Sequence, residues 1–361
     1  MKADRRNKSR FGRGLAIYTL LLMGLILAGL VFFYFYMAAY EYSRPENALR
    51  RYLDGEERQL LRQQSYALID SVNTRVQSEE ELRSILDGLI EEVSKAKIPS
   101  ESTESRQVYA LRSDGHTIGK LTLSKSEKKR MGFSPWEIDQ TAVDLSFLLK
   151  QEQVTVPRDY RVVCGEAQLG SEDIVENAVH YDLLEEFYDN YELPTMVTYS
   201  SGNYIGDLSL RVYDAAGREL SAEELTQEHF TDNCSAKEKE DINAFVQEYI
   251  PRYVTYLSGA NGAHYLNLYD VLAWTVENSD LYSRLYQALG GQGWASSQGD
   301  YLQSYTVNQV MRLKPGVYVC DVTFLVQTYG QNGAKTITTN NTKLLVQETD
   351  KGLRAFAQAS Y

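Results

Sequence analysis

The chain is poor in the residues that most recognisable chemistry uses. Among 361 residues there are three cysteines, four histidines and three tryptophans. Cys164, Cys234 and Cys320 stand far apart, so a small fold stapled by several disulfides is excluded and at most one bridge is possible. Three unpaired structural thiols are the simpler reading, because a free Cys packs as a small apolar residue. His116, His180, His229 and His264 are scattered singly, and no HExxH, CxxC or calcium-loop pattern occurs. Neither a metal nor any other cofactor is expected. There is no GxSxG. Ser94–Lys97 and Ser126–Lys129 match SxxK, and Ser201-Gly202-Asn203 imitates a companion motif of penicillin-binding enzymes. The third motif fails, since Lys335-Thr336 is followed by Ile337. The run GGQG lacks the preceding strand and the Lys of a phosphate loop. No catalytic residue is named, and a non-enzymatic chain is expected.

Positive charge is also scarce. The net charge is −12, and residues 1–13 hold six cations against Asp4, which leaves −17 on the remainder. A nucleic-acid partner is excluded on that balance. Repulsion from anionic lipid is expected of the acidic part as a whole.

What the chain does have is one long apolar run. Gly14 to Tyr40 is 27 residues without a charged side chain or His. A bilayer core takes about 20 apolar residues as helix, so this segment can span it with some tilt. A cleaved export signal has a shorter apolar region and a small-x-small site, and here Tyr36 or Met37 would occupy the small position. Tyr34, Tyr36 and Tyr40 gather where amphipathic rings favour the membrane interface. We read an uncleaved single-pass anchor in contact with membrane lipid through residues 14–40. Lys2, Arg5, Arg6, Lys8, Arg10 and Arg13 mark residues 1–13 as the cytoplasmic tail, with the rest of the chain outside the plasma membrane.

Beyond the anchor the hydrophobic period changes several times. Residues 46–75 read as helix from Leu49, Leu53, Leu60, Leu61, Leu68, Ile69 and Val72. Ser78 with Glu81 opens a second helix to about Lys95. Asp114-Gly115 marks a hairpin, the run KSEKKRMGFS a polar loop, and WEIDQTAVDLSFLL a third, long strand. In the middle, VTVPRDYRVV reads as a strand interrupted by Pro157, and Ser171-Glu172-Asp173 as the start of a helix to about Asn190. Two more strands and a short helix at Ser221–Glu224 complete a small α+β unit. Ser235 with Glu238 caps a helix to about Leu257, followed by helices at Ala263–Val276 and Leu281–Leu289 and strands near 300–312, 316–329, 334–348 and 353–360. In VYVCDVTFLV, Tyr318, Cys320, Val322, Phe324 and Val326 share one face, as in a half-buried antiparallel strand. The expected architecture is therefore α+β: the transmembrane helix, a helix-plus-antiparallel-sheet domain at 46–150, a small α+β domain at 151–234 and a second helix-plus-sheet domain at 235–361.

Helices followed by an antiparallel sheet, twice in one chain, and the run LYDVLAWTVENSDLYSRLYQALG ahead of four strands, resemble the cystatin-like cones of the nuclear-transport-factor type. The resemblance spans residues 46–150 and 236–361. The layout also resembles accessory proteins of conjugation and secretion machines, which place such cones outside after one membrane helix. The resemblance implies two helix-and-sheet cones; it names no catalytic residue.

Tyr265, Leu268, Tyr269, Leu272 and Val276 form a stripe at helical spacing, read as the core face. His264, Asp270 and Trp274 lie off that stripe and, with Trp294 of the Gly-rich loop, are the candidate contacts to a ligand or partner. His264 and Asp270 are six residues apart, about 120° around an ideal helix and well separated along it, so direct pairing is not expected. The expected function is an interaction or scaffold ectodomain of an envelope complex, with a partner protein or self-association. A small-molecule or glycan-binding cone cavity, and a cone-fold hydrolase or isomerase, are the alternatives.

Overall fold

In the computed structural model of the chain, residues 5–55, 58–258, 264–288, 302–329 and 334–361 are described, with side chains from Arg13 onward except those of Ser258, His264, Tyr265, Leu266 and Tyr329. The fold is α+β: an apolar N-terminal helix, then helices and antiparallel sheets. Contacts divide it into two compact units. One comprises residues 1–151 with 202–208, the other 152–201 with 209–361.

The first unit begins with helix α1 (Arg5–Tyr42), whose segment Arg13–Tyr42 is long and apolar enough to cross a membrane. Helices α2 (Pro45–Asp54) and α3 (Arg58–Tyr66) replace the single helix expected at 46–75. Gly55 ends α2: its N–H reaches Arg51 O at 2.9 Å, and a Cβ there would fall 2.4 Å from the same oxygen. A short 3-10 turn at Ile69–Ser71 follows. Helix α4 (Glu79–Glu91) starts where expected, with Ser78 Oγ accepting from Glu81 N–H and three glutamates in its first turn. It ends at Glu91, and Ser94–Lys97, expected partly as helix, is strand β1.

Strands β1, β2 (Arg106–Ser113), β3 (His116–Lys125) and β4 (Trp136–Val143) form one antiparallel sheet in chain order. Asp114 (φ 47°) and Gly115 (φ 77°) make the tight β2–β3 turn. The long strand expected from Trp136 stops at Val143. There Asp144 Oδ1 accepts from Ser146 N–H and Oγ–H, at 3.0 and 2.6 Å, and this local turn competes with the ladder. A two-residue strand β5 (Leu149–Lys150) follows. The core joins Leu49, Tyr52 and Leu61 to Leu82, Leu86 and Ile90 of α4 and to Leu111, Leu121 and Leu123 of the sheet.

In the second unit, β6 (Gln153–Pro157) and β7 (Arg161–Cys164) are separate strands in different sheets, and β8 (Ala167–Gln168) pairs with β7. The helix expected at 171–190 is absent. A single 3-10 turn at Ser171–Asp173 leads into strand β9 (Ile174–Val179), and a second turn spans Asp182–Phe187. Asp173 Oδ2 accepts from Gly170 N–H at 2.8 Å, but Ser171 does not act as an N-cap and no side chain caps the turn. The β-branched Ile174 and Val179 then pair with β10 (Met196–Ser200) instead of continuing as helix. Strand β11 (Tyr204–Ile205) belongs to the first unit and pairs with β5. Strand β12 (Leu210–Tyr213) returns to β7, and helix α5 (Gln227–Thr231) follows the short 3-10 turn at Ala222–Glu224.

Helix α6 (Ala236–Ser258) opens with the expected reciprocal cap: Ser235 N–H donates to Glu238 Oε2 at 2.7 Å and Glu238 N–H to Ser235 Oγ at 3.2 Å. Helices α7 (His264–Leu272) and α8 (Asp280–Gln287) come next. Strands β13 (Leu302–Lys314), β14 (Val317–Tyr329), β15 (Lys335–Thr349) and β16 (Gly352–Ser360) form a four-stranded antiparallel meander. Tyr318, Cys320, Val322, Phe324 and Val326 are all buried, as their alternation requires. They meet Phe245, Val246, Tyr249 and Ile250 of α6 in one continuous core. The three cysteines are free, with Cys164 and Cys320 buried.

Candidate functional site

Two expectations about α7 need correction. The helix ends at Leu272, not Val276, and Tyr269 of the expected core stripe is 60 % exposed. Among the described side chains of α7 the buried ones are Leu268, Val271 and Leu272, so the core face is rotated by about one residue from the stripe, whose Tyr265 side chain lies outside the described residues. The chain leaves the helix because residues 274–276 pair with the edge of β16. Ala355 N–H donates to Trp274 O at 3.0 Å, and Val276 N–H to Ala355 O at 2.8 Å. Asn278, at φ 61°, then turns the chain, and Ser279 Oγ caps α8.

That pairing places Trp274 at the margin of the sheet, half-buried. Its ring lies 6.1 Å from the Phe245 ring. The guanidinium carbons of Arg252 and Arg354 stand 5.2 and 4.9 Å from its centroid, within cation–π range. An open groove of about 450 Å³ runs past it, lined also by Glu238, Asp241, Glu248, Tyr318 and Glu348. Glu238 is the most constrained of these. Besides its cap bonds it accepts from Tyr318 Oη at 3.1 Å and pairs with Arg312 at 3.3 Å. Backbone and side-chain donation from Ser235 draw its pKa down to about 2, so it is a fixed negative charge at neutral pH.

Of the sequence-derived candidates, only Trp274 lines this groove. Asp270 is exposed on α7 and is not among the lining residues. The side chain of His264 and the whole of Trp294, with the Gly-rich loop and residues 259–262 of the turn SGANG, lie outside the described residues. Arg252, Phe245 and Arg354 were missed. Phe245 and Arg252, seven apart on a capped helix, share a face and were in principle legible. Arg354 was not, because its approach depends on the bridge between residues 274–276 and β16.

Further grooves lie in the same unit. One, of about 500 Å³, is lined by Phe187, Tyr191, Tyr253, Arg284 and Gln358 among others. Tyr249 Oη donates to Gln358 Oε1 and Arg284 Nη2 to Gln358 O, each at 2.9 Å. Another, of about 530 Å³, is lined by residues that satisfy one another: Asp182 N–H donates to Gln227 Oε1, and Lys239 pairs with Asp232.

The thiols are poorly suited to nucleophilic work. Burial raises the pKa of Cys164 and Cys320, and that of Cys234 is pushed up to about 11 by burial and then by Glu238. The carboxylates displaced from their ordinary values, Asp144, Asp214, Glu224 and Glu238, all shift downward through hydrogen bonds, opposite to the direction a general acid needs. Among the described residues no cluster of three His, Cys, Asp or Glu could hold a metal.

No family model matches the chain. No curated protein matches it either. Solved structures similar to it include the intermembrane space region of the chloroplast protein ARC6, at 14 % identity and TM-score 0.26 over 36 % of this chain and 97 % of that one. An NTF-2 like protein of unknown function from Shewanella oneidensis MR-1 is similar at 13 % identity and TM-score 0.25, over 34 % of this chain and 98 % of that one. An Ntf2 like protein involved in plasmid conjugation is similar at 9 % identity and TM-score 0.25, over 80 % of this chain and 84 % of that one.

Proposed function

We propose that this chain is a single-pass membrane protein whose extracytoplasmic part, organised as domains at 46–150, 151–234 and 235–361, docks to a protein partner of an envelope assembly. The observation that carries the reading is the Trp274 groove. A half-buried Trp with two Arg over its ring, in a groove lined by Tyr318 and by Glu238, Asp241, Glu248 and Glu348 against Lys351 and Arg354, has the composition of an interface centre. Its four lining carboxylates outnumber the two lining cations, which favours a partner segment that presents Lys or Arg. The core between α6, α7 and the sheet is filled by buried side chains, which favours surface recognition over an interior ligand.

Crosslinking of the full-length protein in its native membrane, followed by mass spectrometry, tests the reading. The wild type is expected to capture a reproducible heterologous partner through residues near 274. Trp274→Ala is expected to lower that capture at least tenfold, the size of a hot-spot truncation of about 2 kcal/mol. Equal capture by the two proteins would remove the groove from the account.

A second reading is favoured by the groove beside Arg284 and Gln358, whose volume falls in the range of small-molecule sites. Under it, a soluble fragment binds a small polar ligand and Arg284→Ala abolishes that binding.

A further inference from the structure

The sequence marks the loop between β3 and β4 only as polar, yet its placement is specific. Residues 126–133 fold back onto the C-terminal end of α1. The Phe133 ring lies 5.0 Å from that of Tyr36 and 5.5 Å from that of Tyr40, both edge-on. Tyr42 is flanked by two cations, with Arg51 at 4.0 Å and Arg130 at 5.4 Å from its ring. The loop tip is a closed hairpin: Arg130 N–H donates to Phe133 O at 2.8 Å and Phe133 N–H to Arg130 O at 3.0 Å. Its two central residues have positive φ, 50° at Met131 and 89° at Gly132. Left-handed backbone is uncommon for a long side chain such as Met, and such strain concentrates at binding sites. Here it holds Met131 out at the tip, 43 % exposed. Within residues 125–133, Lys125, Lys128, Lys129 and Arg130 are exposed against Glu127, with Glu41 of α1 and Glu137 of β4 the exposed carboxylates next to this stretch.

Depth along α1 says what this hairpin faces. The uncharged run of 27 residues is about 40 Å of helix, longer than the ~30 Å hydrocarbon core. Its last turns, with Tyr34, Tyr36 and Tyr40, therefore fall at headgroup level if α1 spans. Phe133 sits beside Tyr36, about 9 Å back along the helix from Tyr42. We propose that the β3–β4 loop is a second membrane contact, in which Lys128, Lys129 and Arg130 engage anionic phospholipid headgroups while Met131 enters the interface. The inference rests on the anchor reading of α1. It also amends the expectation of repulsion from anionic lipid: the net −17 is an average, and the surface held against the membrane is locally basic.

The test uses the full-length chain with Cys234→Ser, to remove the half-buried thiol, labelled with a small fluorophore at Met131→Cys or separately at Leu27→Cys. The protein is reconstituted in phosphatidylcholine bilayers with or without phosphatidylglycerol. Quenching by lipids brominated at shallow or deep acyl positions is measured. The label at 131 is expected to be quenched by shallow bromines several-fold more in the anionic bilayer, and K128E/K129E/R130E is expected to erase the difference. Deep quenching at 27 with none at 131 would overturn the loop contact and leave the anchor standing. Quenching at neither position would overturn the anchor reading and the loop contact with it. Equal quenching at 131 in both bilayers, unchanged by charge reversal, would overturn the recognition of headgroup charge.

Discussion

Each unit ties a strand lysine to a glutamate on a 3-10 turn. In the first, Lys120 of β3 meets Glu101 of the turn Pro99–Glu101 at 2.7 Å. In the second, Lys343 of β15 meets Glu186 of the turn Asp182–Phe187 at 2.6 Å and also donates to Asp182 O at 2.9 Å. The distances are nearly equal and the environments are not. The Lys120 and Glu101 side chains are 52 % and 45 % exposed, whereas those of Lys343 and Glu186 are 9 % and 28 % exposed. Burial, more than distance, decides what such a pair is worth, because solvent screens one and not the other. Lys343→Ala is therefore expected to cost about 2–4 kcal/mol, by stranding Glu186 and a backbone carbonyl. Lys120→Ala should cost less than about 0.5 kcal/mol. Urea denaturation of the two variants checks both. Equal losses would mean that the buried pair is an ordinary surface contact.

Two glycines of the first unit extend the same lesson to the backbone. A methyl group at Gly55 would collide with Arg51 O, whereas one at Gly88 of α4 would meet nothing within 4 Å. Gly55→Ala is expected to destabilise by about 1–3 kcal/mol, and Gly88→Ala to stabilise by about 0.5–1 kcal/mol through its helix propensity. Thermal melts of both variants would reveal a reversed order.

The smallest effect is electrostatic. Glu224 and Glu238 are held at about 2, from an ordinary value near 4.5, by hydrogen bonds at the starts of a short turn and of α6. A depressed carboxylate contributes stability that is complete above its unfolded value. That stability is lost as pH falls through the folded value. The second unit should therefore weaken between about pH 4.5 and pH 2, and E224Q/E238Q should flatten that slope. A slope unchanged in the double variant would assign the acid sensitivity elsewhere.

Much of the fold was legible where one local signal and the packing agree. Ser78–Glu81 and Ser235–Glu238 set helix starts, Asp114-Gly115 set a hairpin, and the alternation from Tyr318 to Val326 set a core face. The reading failed where tertiary pairing decides. Residues 174–179 follow an acidic Ser171-Glu172-Asp173 start and still form a strand, because β10 offers a ladder. Residues 274–276 leave α7 for the edge of β16 in the same way. The groove followed that failure. Trp274 is a sequence candidate that lines the groove, but the approach of Arg354 depends on a pairing that no spacing encodes. The basic loop was visible as composition only; its value depends on the aromatic end of α1 against which it folds.

The central claim is that two similar helix-and-sheet units carry opposite surfaces, a basic one for lipid and an acidic, aromatic one for protein. A photo-crosslinking residue at position 131 or 274 of the full-length protein, activated in the native membrane, tests it most directly. The expected result is lipid adducts from 131 and a discrete protein adduct from 274. Protein adducts at 131 with no adduct at 274 would contradict it.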